Sequence, residues 1–222
     1  PNNEKDPNRD RFVLSKGHAA PVLYSTLARR GYFPVEELST LRKFKSRLQG
    51  HPSIQYLPGI DMSTGSLGQG ISAAVGMALA GKIDKKDYRV YTILGDGELE
   101  EGQVWEASMC AAHYKLNNLT AFIDFNGLQI DGDITKVMNP CPIDKKFEAF
   151  GWNVLVIDGH NYEEIIDAIE KAKECKDKPT AVVCKTIKGK GVSFMENQAE
   201  WHGIAPSREQ CEAALKELGG EN

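Results

Sequence analysis

The stretch from Val90 to Gly132, VYTILGDGELEEGQVWEASMCAAHYKLNNLTAFIDFNGLQIDG, decides the fold. The apolar run VYTIL predicts a strand, the pattern after Gly102 predicts a helix, and LTAFIDF predicts a second strand. Asp96 stands just past the first strand and Asn126 just past the second. Because a crossover through a helix makes the two strands parallel, we expect both residues at one edge of the sheet, where open α/β sheets bind ligands.

The composition is typical of a globular protein. The chain has 222 residues, of which 41% are hydrophobic and 26% are charged, and its formal net charge is -4. A chain of this length buries about 70% of the surface of its unfolded form, which supports a single α/β domain over residues 1–222. The basic run at 185–191 lacks interleaved aromatic residues, so nucleic acid is not an expected partner.

Cysteine usage and hydropathy bear on the location of the protein. The five cysteines are far apart and never spaced as CxxC, so they indicate neither a disulfide framework nor a zinc site. No apolar run approaches the roughly 20 residues that span a bilayer, and no signal sequence is recognisable. We therefore expect a cytoplasmic protein without a membrane partner. The chain starts at Pro1 instead of Met, which suggests that an upstream segment was removed or left out.

Strands and helices alternate along the chain. This alternation predicts an α/β fold with a doubly wound, mostly parallel sheet that is flanked by helices. Two further strands are predicted over 154–159, with a buried pattern, and over 180–186. Five further helices are predicted after the turn at His18, from Pro34 towards Phe44, over 70–83, after Asn161 and after Ser207.

Two of the predicted helices are apolar or small nearly all round. The helix over 70–83 carries alanine and glycine around its circumference, and the helix after Gly102 spreads Val104, Trp105 and Met109 in the same way. A helix without a polar face is buried on more than one side. A multilayer core would explain either helix alone, but two of them in one domain favour self-association.

Asp96 and Asn126 carry the side chains of a hard-metal site. A carboxylate and an amide oxygen are ligands that Mg²⁺ or Ca²⁺ prefers, and an octahedral metal takes its remaining oxygens from phosphate, backbone carbonyl and water. Gly95 and Gly97 allow backbone N–H groups to approach such a phosphate. Gly-Asp-Gly alone is most often a plain turn, so the surrounding sequence decides its meaning.

The surrounding sequence resembles a known family. GDGELEEGQVWEA followed by IDFN resembles the thiamine diphosphate motif, and SKGHA, QGHPS, TGSLGQGISAAVGMALA and WHG occur in the order found in transketolases. The resemblance runs over nearly the full 222 residues. It implies the thiamine diphosphate-binding fold, thiamine diphosphate and Mg²⁺ as cofactors, and reversible transfer of a two-carbon ketol unit from a ketose phosphate to an aldose phosphate, as in the pentose phosphate pathway.

The resemblance also implies which residues hold the cofactors. The side chains of Asp96 and Asn126 and the backbone carbonyl of Leu128 would hold the metal, and Gly97 would donate its N–H to the diphosphate. Ser66 stands where transketolases often have proline, a mild departure from the family pattern. The residues implied to contact thiamine diphosphate are His18, Gly65, Ser66, Leu67, Gly95, Asp96, Gly97, Glu101, Asn126, Ile187 and His202.

Three histidines are implied to be catalytic. His18, His51 and His202 each lie in a glycine-containing turn and not on an apolar helix face. Matched to the family, they surround the cofactor and the donor sugar. As neutral donors or as protonated acids, they would stabilise the alkoxide oxygens that develop while a ketose adds and cleaves.

The acidic residues of ELEEGQVWE divide into two groups. Glu98 and Glu100 are expected on a solvated loop, with a favourable charge at a helix N-terminus. Glu101 and Glu106 match acidic positions that transketolases place at the interface between two active sites, so the resemblance implies catalytic roles for them.

Transketolases complete this domain with a second one. The glutamate that activates the thiamine ring belongs to a pyrimidine-binding domain, which is not expected within this chain. The resemblance therefore implies the N-terminal, diphosphate-binding subunit of a two-chain transketolase. We expect a C-terminal subunit to complete it, as an α2β2 heterotetramer that acts on sugar phosphates.

Three alternatives remain. Within the fold, the chain would be half of a 1-deoxyxylulose-phosphate synthase or of another thiamine-dependent enzyme, although the three histidines and the ELEEG turn favour transketolase. From another class, it would be a non-catalytic thiamine diphosphate-binding module. A nucleotide-binding domain has little support, because the sequence has neither GxxxxGK[ST] nor a GxGxxG turn with an acidic residue about 20 positions later.

Overall fold

The computed structural model describes residue 1 and residues 3–219. Five of its strands form one sheet in which every neighbouring pair is parallel, and two short strands form a separate antiparallel hairpin. The sheet strands are β1 (Arg11–Leu14), β2 (Val90–Gly95), β3 (Leu119–Phe125), β6 (Asn153–Asp158) and β7 (Thr180–Lys185), and the hairpin strands are β4 (Leu128–Gln129) and β5 (Gly132–Asp133). The order across the sheet is β1-β2-β3-β7-β6.

The helices connect these strands. Among the described residues, no helix is both long enough and apolar enough to cross a bilayer. The α-helices are α1 (Ala20–Arg29), α2 (Gln69–Ile83), α3 (Gly102–His113), α4 (Ile134–Val137), α5 (Ile143–Ala149), α6 (Tyr162–Glu174) and α7 (Arg208–Glu217). Short 3-10 helices lie at Gly17–Ala19, Val35–Thr40, Gly97–Glu100 and Ala199–His202.

The centre of the sheet confirms the predicted strand, helix and strand. β2 and β3 are parallel neighbours, with Val90 opposite Leu119 and Gly95 opposite Asp124. Because the two strands end level with each other, Asp96 and the chain that follows Phe125 lie at the same edge. The alternation of strands and helices correctly predicted the α/β fold with a parallel sheet flanked by helices.

The two faces of the sheet are covered unequally. On one face the main core packs α2, α3 and α5 against β2, β3 and β7. On the other face α6 packs against β7 and β3 through Ala168 and Val182. The part of this face over β1 and β2 forms a groove of about 850 Å³, whose apolar lining includes Phe12, Leu14 and Ile93.

Two predicted elements differ from the structure. The helix from Pro34 towards Phe44 is wrong, because only a 3-10 helix forms over Val35–Thr40 and Phe44 is 91% exposed. Leu41 has a ψ of 126° and Arg42 a positive φ of 60°, so regular helix does not continue past Thr40. The strand at 154–159 is present as β6, but it is an edge strand with partly exposed side chains, since only β7 pairs with it.

The small-residue helices α2 and α3 pack against each other and against the sheet on one side only. Their outer faces stay exposed in this chain, with Ile83 70%, Met109 60% and Tyr114 50% accessible. The sheet therefore covers one side of each helix, and an apolar surface remains on the side where the sequence predicts a second chain.

The close packing of α2 on the end of β1 predicts opposite effects for two glycines of the same helix. A Cβ at Gly70 would lie 2.6 Å from Cα of Ser15, whereas a Cβ at Gly76 would meet nothing within 4 Å. We expect Gly70→Ala to lower the free energy of unfolding by about 1–3 kcal/mol through overpacking. Gly76→Ala should raise it by up to about 1 kcal/mol through helix propensity.

Urea denaturation of the two variants and the wild type measures this difference. Equal effects of the two substitutions would contradict the packing of α2 against Ser15.

Candidate functional site

A cleft of about 600 Å³ lies at the carboxyl edge of the sheet. It receives Lys16 from the turn after β1, Asp96 from the turn after β2, Asn126 from the turn after β3 and Lys188 from the loop after β7. Most of the residues expected to bind a cofactor line it. Those in the lining are His18, Gly65, Leu67, Gly95, Asp96, Gly97, Asn126, Leu128 and His202.

Asp96 is a buried acidic group in the lining and is only 2% exposed. Its Oδ1 accepts a hydrogen bond from the N–H of Gly97 at 2.8 Å, and its Oδ2 accepts one from the N–H of Gly127 at 2.6 Å. Burial raises the pKa of Asp96 to about 6, although these two bonds act in the opposite direction. A carboxylate held in this way is stabilised by a cation placed against it.

Asn126 organises the turn on the other side of Asp96. Its Oδ1 accepts from the N–H of Leu128 at 3.0 Å, and this turn leads directly into β4. Gln129 then lies so close to Gly97 that a Cβ there would be 2.5 Å from its Oε1. A larger residue at position 97 would therefore displace the side chain of Gln129, which lines the cleft.

Asp96, Asn126 and Leu128 therefore line one cleft with a carboxylate, an amide and a backbone carbonyl. In the part of the chain that the structure describes, no group of three or more His, Cys, Asp or Glu side chains is placed to hold a metal. These three residues alone would leave a hard cation short of ligands. They suit Mg²⁺ when a phosphate group supplies further oxygens, so the residues present fit the implied metal.

Two lysines supply positive charge beside Asp96. Lys16 pairs with Asp124, which also accepts from the hydroxyl of Thr186. Burial alone would raise the pKa of Asp124, but Lys16 and Thr186 outweigh it and hold the pKa below its ordinary value. Burial, and then the charge of Lys16, lowers the pKa of Lys188. The ammonium groups of Lys16 and Lys188 thus give this part of the cleft a positive charge that favours an anionic ligand.

His18 and His202 stack with ring centroids 5.0 Å apart. His18 is an exposed residue, yet partial burial of its ring and the charges of His202, Lys16, Lys188 and His51 lower its pKa to about 4. Burial and Lys188 also lower the pKa of His202. In the cofactor-free chain at neutral pH, both rings are therefore neutral donors and acceptors.

The other predicted residues lie around the cleft or away from it. His51 packs against Gly65, with its Cγ 2.8 Å from the position of a Cβ there, and Ser66 is exposed in the same turn. Ile187 lines the neighbouring groove, and its N–H donates to Nε2 of His160 at 2.8 Å. Glu101 and Glu106 are exposed around the start of α3 and do not line the cleft.

Three residues of this region escaped the sequence analysis. The expectation of a solvated loop for Glu98 is wrong, because the 3-10 turn over Gly97–Glu100 directs its side chain inward and leaves it 2% exposed. Lys16 and Lys188 each follow a strand end, as Asp96 does. Applying the strand-end rule to every strand would have found both lysines.

Comparison with known proteins agrees with this geometry. Residues 1–222 match the family described as "Transketolase, thiamine diphosphate binding domain". The chain is 50% identical over 222 residues to the 6-deoxy-6-sulfo-D-fructose transketolase subunit SqwG of Clostridium sp. (strain MSTE9), covering 100% of this chain and 80% of that protein. It is 46% identical over 218 residues to one subunit of the apulose-4-phosphate transketolase of Phocaeicola vulgatus, covering 98% and 77%.

A solved structure gives the same result for the fold. The chain superposes on a transketolase from Pichia stipitis, solved in complex with sedoheptulose 7-phosphate, with a TM-score of 0.92 and 36% identity. The match covers 99% of this chain but 34% of that one. The chain therefore spans about a third of the solved transketolase, and most of the Clostridium and Phocaeicola proteins.

The low pKa of His18 can be measured directly. We expect its imidazole in the cofactor-free protein to titrate well below the ordinary value of about 6.5. Lys188→Gln should raise the pKa of His18 and of His202, since it removes a positive charge that disfavours their protonated forms. Lys190→Gln, at an exposed position two residues away, should leave both values unchanged.

Imidazole ¹H–¹⁵N NMR across pH 4–8 gives these values. A His18 that titrates normally in the wild type, or one that responds equally to both substitutions, would show that the cleft does not set its protonation.

Proposed function

The chain belongs to the transketolase family through its thiamine diphosphate-binding domain, and from this premise we propose that it is the N-terminal subunit of a two-chain transketolase. In this proposal residues 1–222 form one diphosphate-binding domain, and a separate C-terminal chain provides the pyrimidine-binding domain. The observation that carries the proposal is the cleft in which Asp96, Asn126 and Leu128 lie close to Lys16 and Lys188.

The metal and the diphosphate would bind side by side in this cleft. Asp96, Asn126 and the carbonyl of Leu128 would hold Mg²⁺, and Ca²⁺ could take its place. Lys188 would bind the diphosphate oxygens. The N–H of Gly97, which donates to Oδ1 of Asp96 in the cofactor-free chain, would exchange that acceptor for a diphosphate oxygen. Thiamine diphosphate supplies an electron sink for the carbanion that forms when the ketose is cleaved.

The histidines would act on the oxygens of the sugar. The low pKa values of His18 and His202 support neutral imidazoles, which donate one hydrogen bond and accept another, in preference to protonated acids. His51 packs against Gly65, which lines the cleft. We propose that these rings orient the donor and stabilise its developing alkoxide.

Self-association would complete the site. The exposed apolar residues of α2 and α3, Ile83 and Met109 among them, support an interface on this face. Glu106 lies one turn before the exposed Met109 on α3, and Glu101 is the N-cap residue of that helix, so we propose that both become buried at the interface. The proposed assembly is therefore α2β2. Five free cysteines support a reducing, cytoplasmic location.

The two-chain arrangement is supported by the relatives. The Clostridium and Phocaeicola proteins are both named as transketolase subunits, and this chain covers 80% and 77% of them. Their names specify a sulfonated ketose and a phosphorylated one, so an anionic ketose is the substrate class that we propose, with sugar phosphates as the first candidates. The particular sugar, and with it a place in the pentose phosphate pathway, remains to be assigned by assay.

The metal role of Asp96 predicts the effect of a single substitution. Asp96→Asn keeps an oxygen for the N–H of Gly97 or Gly127 but removes the negative charge. We expect Mg²⁺-dependent affinity for thiamine diphosphate to fall by about 100-fold or more, since changes at residues that only support metal ligands already cost 10- to 100-fold.

Isothermal titration calorimetry on the assembled enzyme measures this affinity, with Asp167→Asn on the exposed face of α6 as the matched control. Unchanged cofactor affinity in Asp96→Asn would refute the metal assignment. Cofactor binding without any enzymatic turnover would favour the non-catalytic module.

The two-chain proposal predicts that activity depends on the partner. The full-length chain alone should transfer no ketol unit between sugar phosphates, because the ring-activating glutamate would belong to the other subunit. Mixing it with the C-terminal subunit should restore transfer and give a complex whose mass by analytical ultracentrifugation fits two copies of each chain.

Efficient ketol transfer by the isolated full-length chain would exclude the split arrangement. Condensation of pyruvate with glyceraldehyde 3-phosphate, in place of ketol transfer, would favour a 1-deoxyxylulose-phosphate synthase.

A further inference from the structure

Glu98 is a buried acidic residue without a role in the metal or sugar chemistry above. Its side chain is 2% exposed and accepts hydrogen bonds from three donors on three different segments. Oε1 accepts from the backbone N–H of Gly68 at 2.9 Å and from the hydroxyl of Ser15. Oε2 accepts from the backbone N–H of Gly95 at 3.1 Å.

Each donor is next to a turn that lines the cleft. Ser15 precedes the turn that carries Lys16 and His18, and Gly68 ends the turn over 65–67. Gly95 precedes Asp96 at the end of β2. From this convergence we propose that Glu98 is the positioning residue that holds the three turns of the cofactor cleft at fixed distances from one another.

The turns that Glu98 joins are in close contact. A Cβ at Gly17 would lie 2.6 Å from the backbone nitrogen of Gly65 and 2.7 Å from Oγ1 of Thr64, so the two turns approach too closely for any side chain at position 17. A small change in their separation would therefore disturb this contact. The bonds to Glu98 lie beside this contact, at Ser15 on one turn and Gly68 on the other.

Glu98 also completes the start of α2. Gly68 is the N-cap residue of this helix, and no side chain of its own caps it. An acidic group that accepts from the N–H of the N-cap residue lies at the positive end of the helix dipole, where negative charge is favourable. The carboxylate thereby ties the helix start to the end of β2 through Gly95.

Only a carboxylate satisfies all three donors. A glutamine at 98 has one accepting oxygen, and its NH₂ group would face a donor from either Gly95 or the Ser15 and Gly68 pair. A buried N–H that loses its acceptor is costly, so the segment that carries it moves. Glu98→Gln should therefore loosen one turn while changing the volume of the side chain very little.

The inference rests on the proposed cofactor site. Two measurements distinguish a failure of the role of Glu98 from a failure of the proposed function. Hydrogen exchange of the full-length chain without cofactor reports the turns directly. We expect Glu98→Gln to speed exchange of the amides of Gly68 or Gly95 at least tenfold. In the assembled enzyme, affinity for Mg²⁺ and thiamine diphosphate should fall about 10- to 100-fold, the equivalent of one unsatisfied buried donor.

Two serine variants provide a second test and a control. Ser15→Ala removes one donor and should weaken cofactor affinity in the same direction but less than Glu98→Gln. Ser108→Ala removes an equally buried hydroxyl that donates to the carbonyl of Val104, away from the cleft, and should affect stability alone. If Glu98→Gln does not fold, Ser15→Ala carries the test.

The outcomes distinguish positioning from plain stabilisation. Faster exchange at the turns together with weaker cofactor binding supports the proposal. Unchanged exchange at both glycines, or cofactor affinity within twofold of the wild type while exchange rises, overturns it. If the wild-type assembly binds no thiamine diphosphate, the proposed function fails, and the exchange rates still decide whether Glu98 holds the turns.

Discussion

The parallel pairing of β2 with β3 is the constraint on which the rest of this protein depends. The register pairs Gly95 with Asp124, so the two central strands end together and deliver Asp96 and Asn126 to one edge. β7 continues the same register on the far side of β3, and its exit brings Lys188 to that edge as well. A slip of one residue in either pairing would turn the side chains of the slipped strand to the opposite face of the sheet and shift its end relative to its neighbour.

The fold places a buried carboxylate and two lysine side chains in the same cleft. Burial raises the pKa of Asp96. Burial, together with the positive charges of Lys16 and Lys188, lowers the pKa of His18. Asp124 forms an ion pair with Lys16. Nζ of Lys188 lies 3.4 Å from Nδ1 of His202, and Asp124 and Asp96 act on its charge from a greater distance. These opposing pKa shifts are typical of a site built for a charged ligand and not for stability.

The sequence predicted this arrangement where chemistry and periodicity agreed. Apolar runs and strand ends were enough to predict β2, β3 and the positions of Asp96 and Asn126. Periodicity does not reveal packing between distant segments. The burial of Glu98 depends on donors from Ser15 and Gly68, which are remote in the chain. The apolar residues from Pro34 towards Phe44 have helical spacing, yet no helix forms there. The positive φ of Arg42 is a feature of the backbone that this spacing does not reveal. Lys188 was missed because a basic, glycine-rich run has the composition of a loop.

The distribution of charge would make the proposed binding of metal and diphosphate mutually dependent. A cation beside Asp96 without an anion would face the field of Lys16 and Lys188, and a diphosphate without a cation would face Asp96 itself. If both bind as proposed, each would relieve the repulsion that the other meets, and their affinities would be coupled. Such coupling requires the turns after β1 and β2 to keep their spacing, because Coulomb energy changes with every ångström of separation. By holding these turns, the hydrogen bonds of Glu98 would therefore influence how strongly metal and diphosphate binding are coupled.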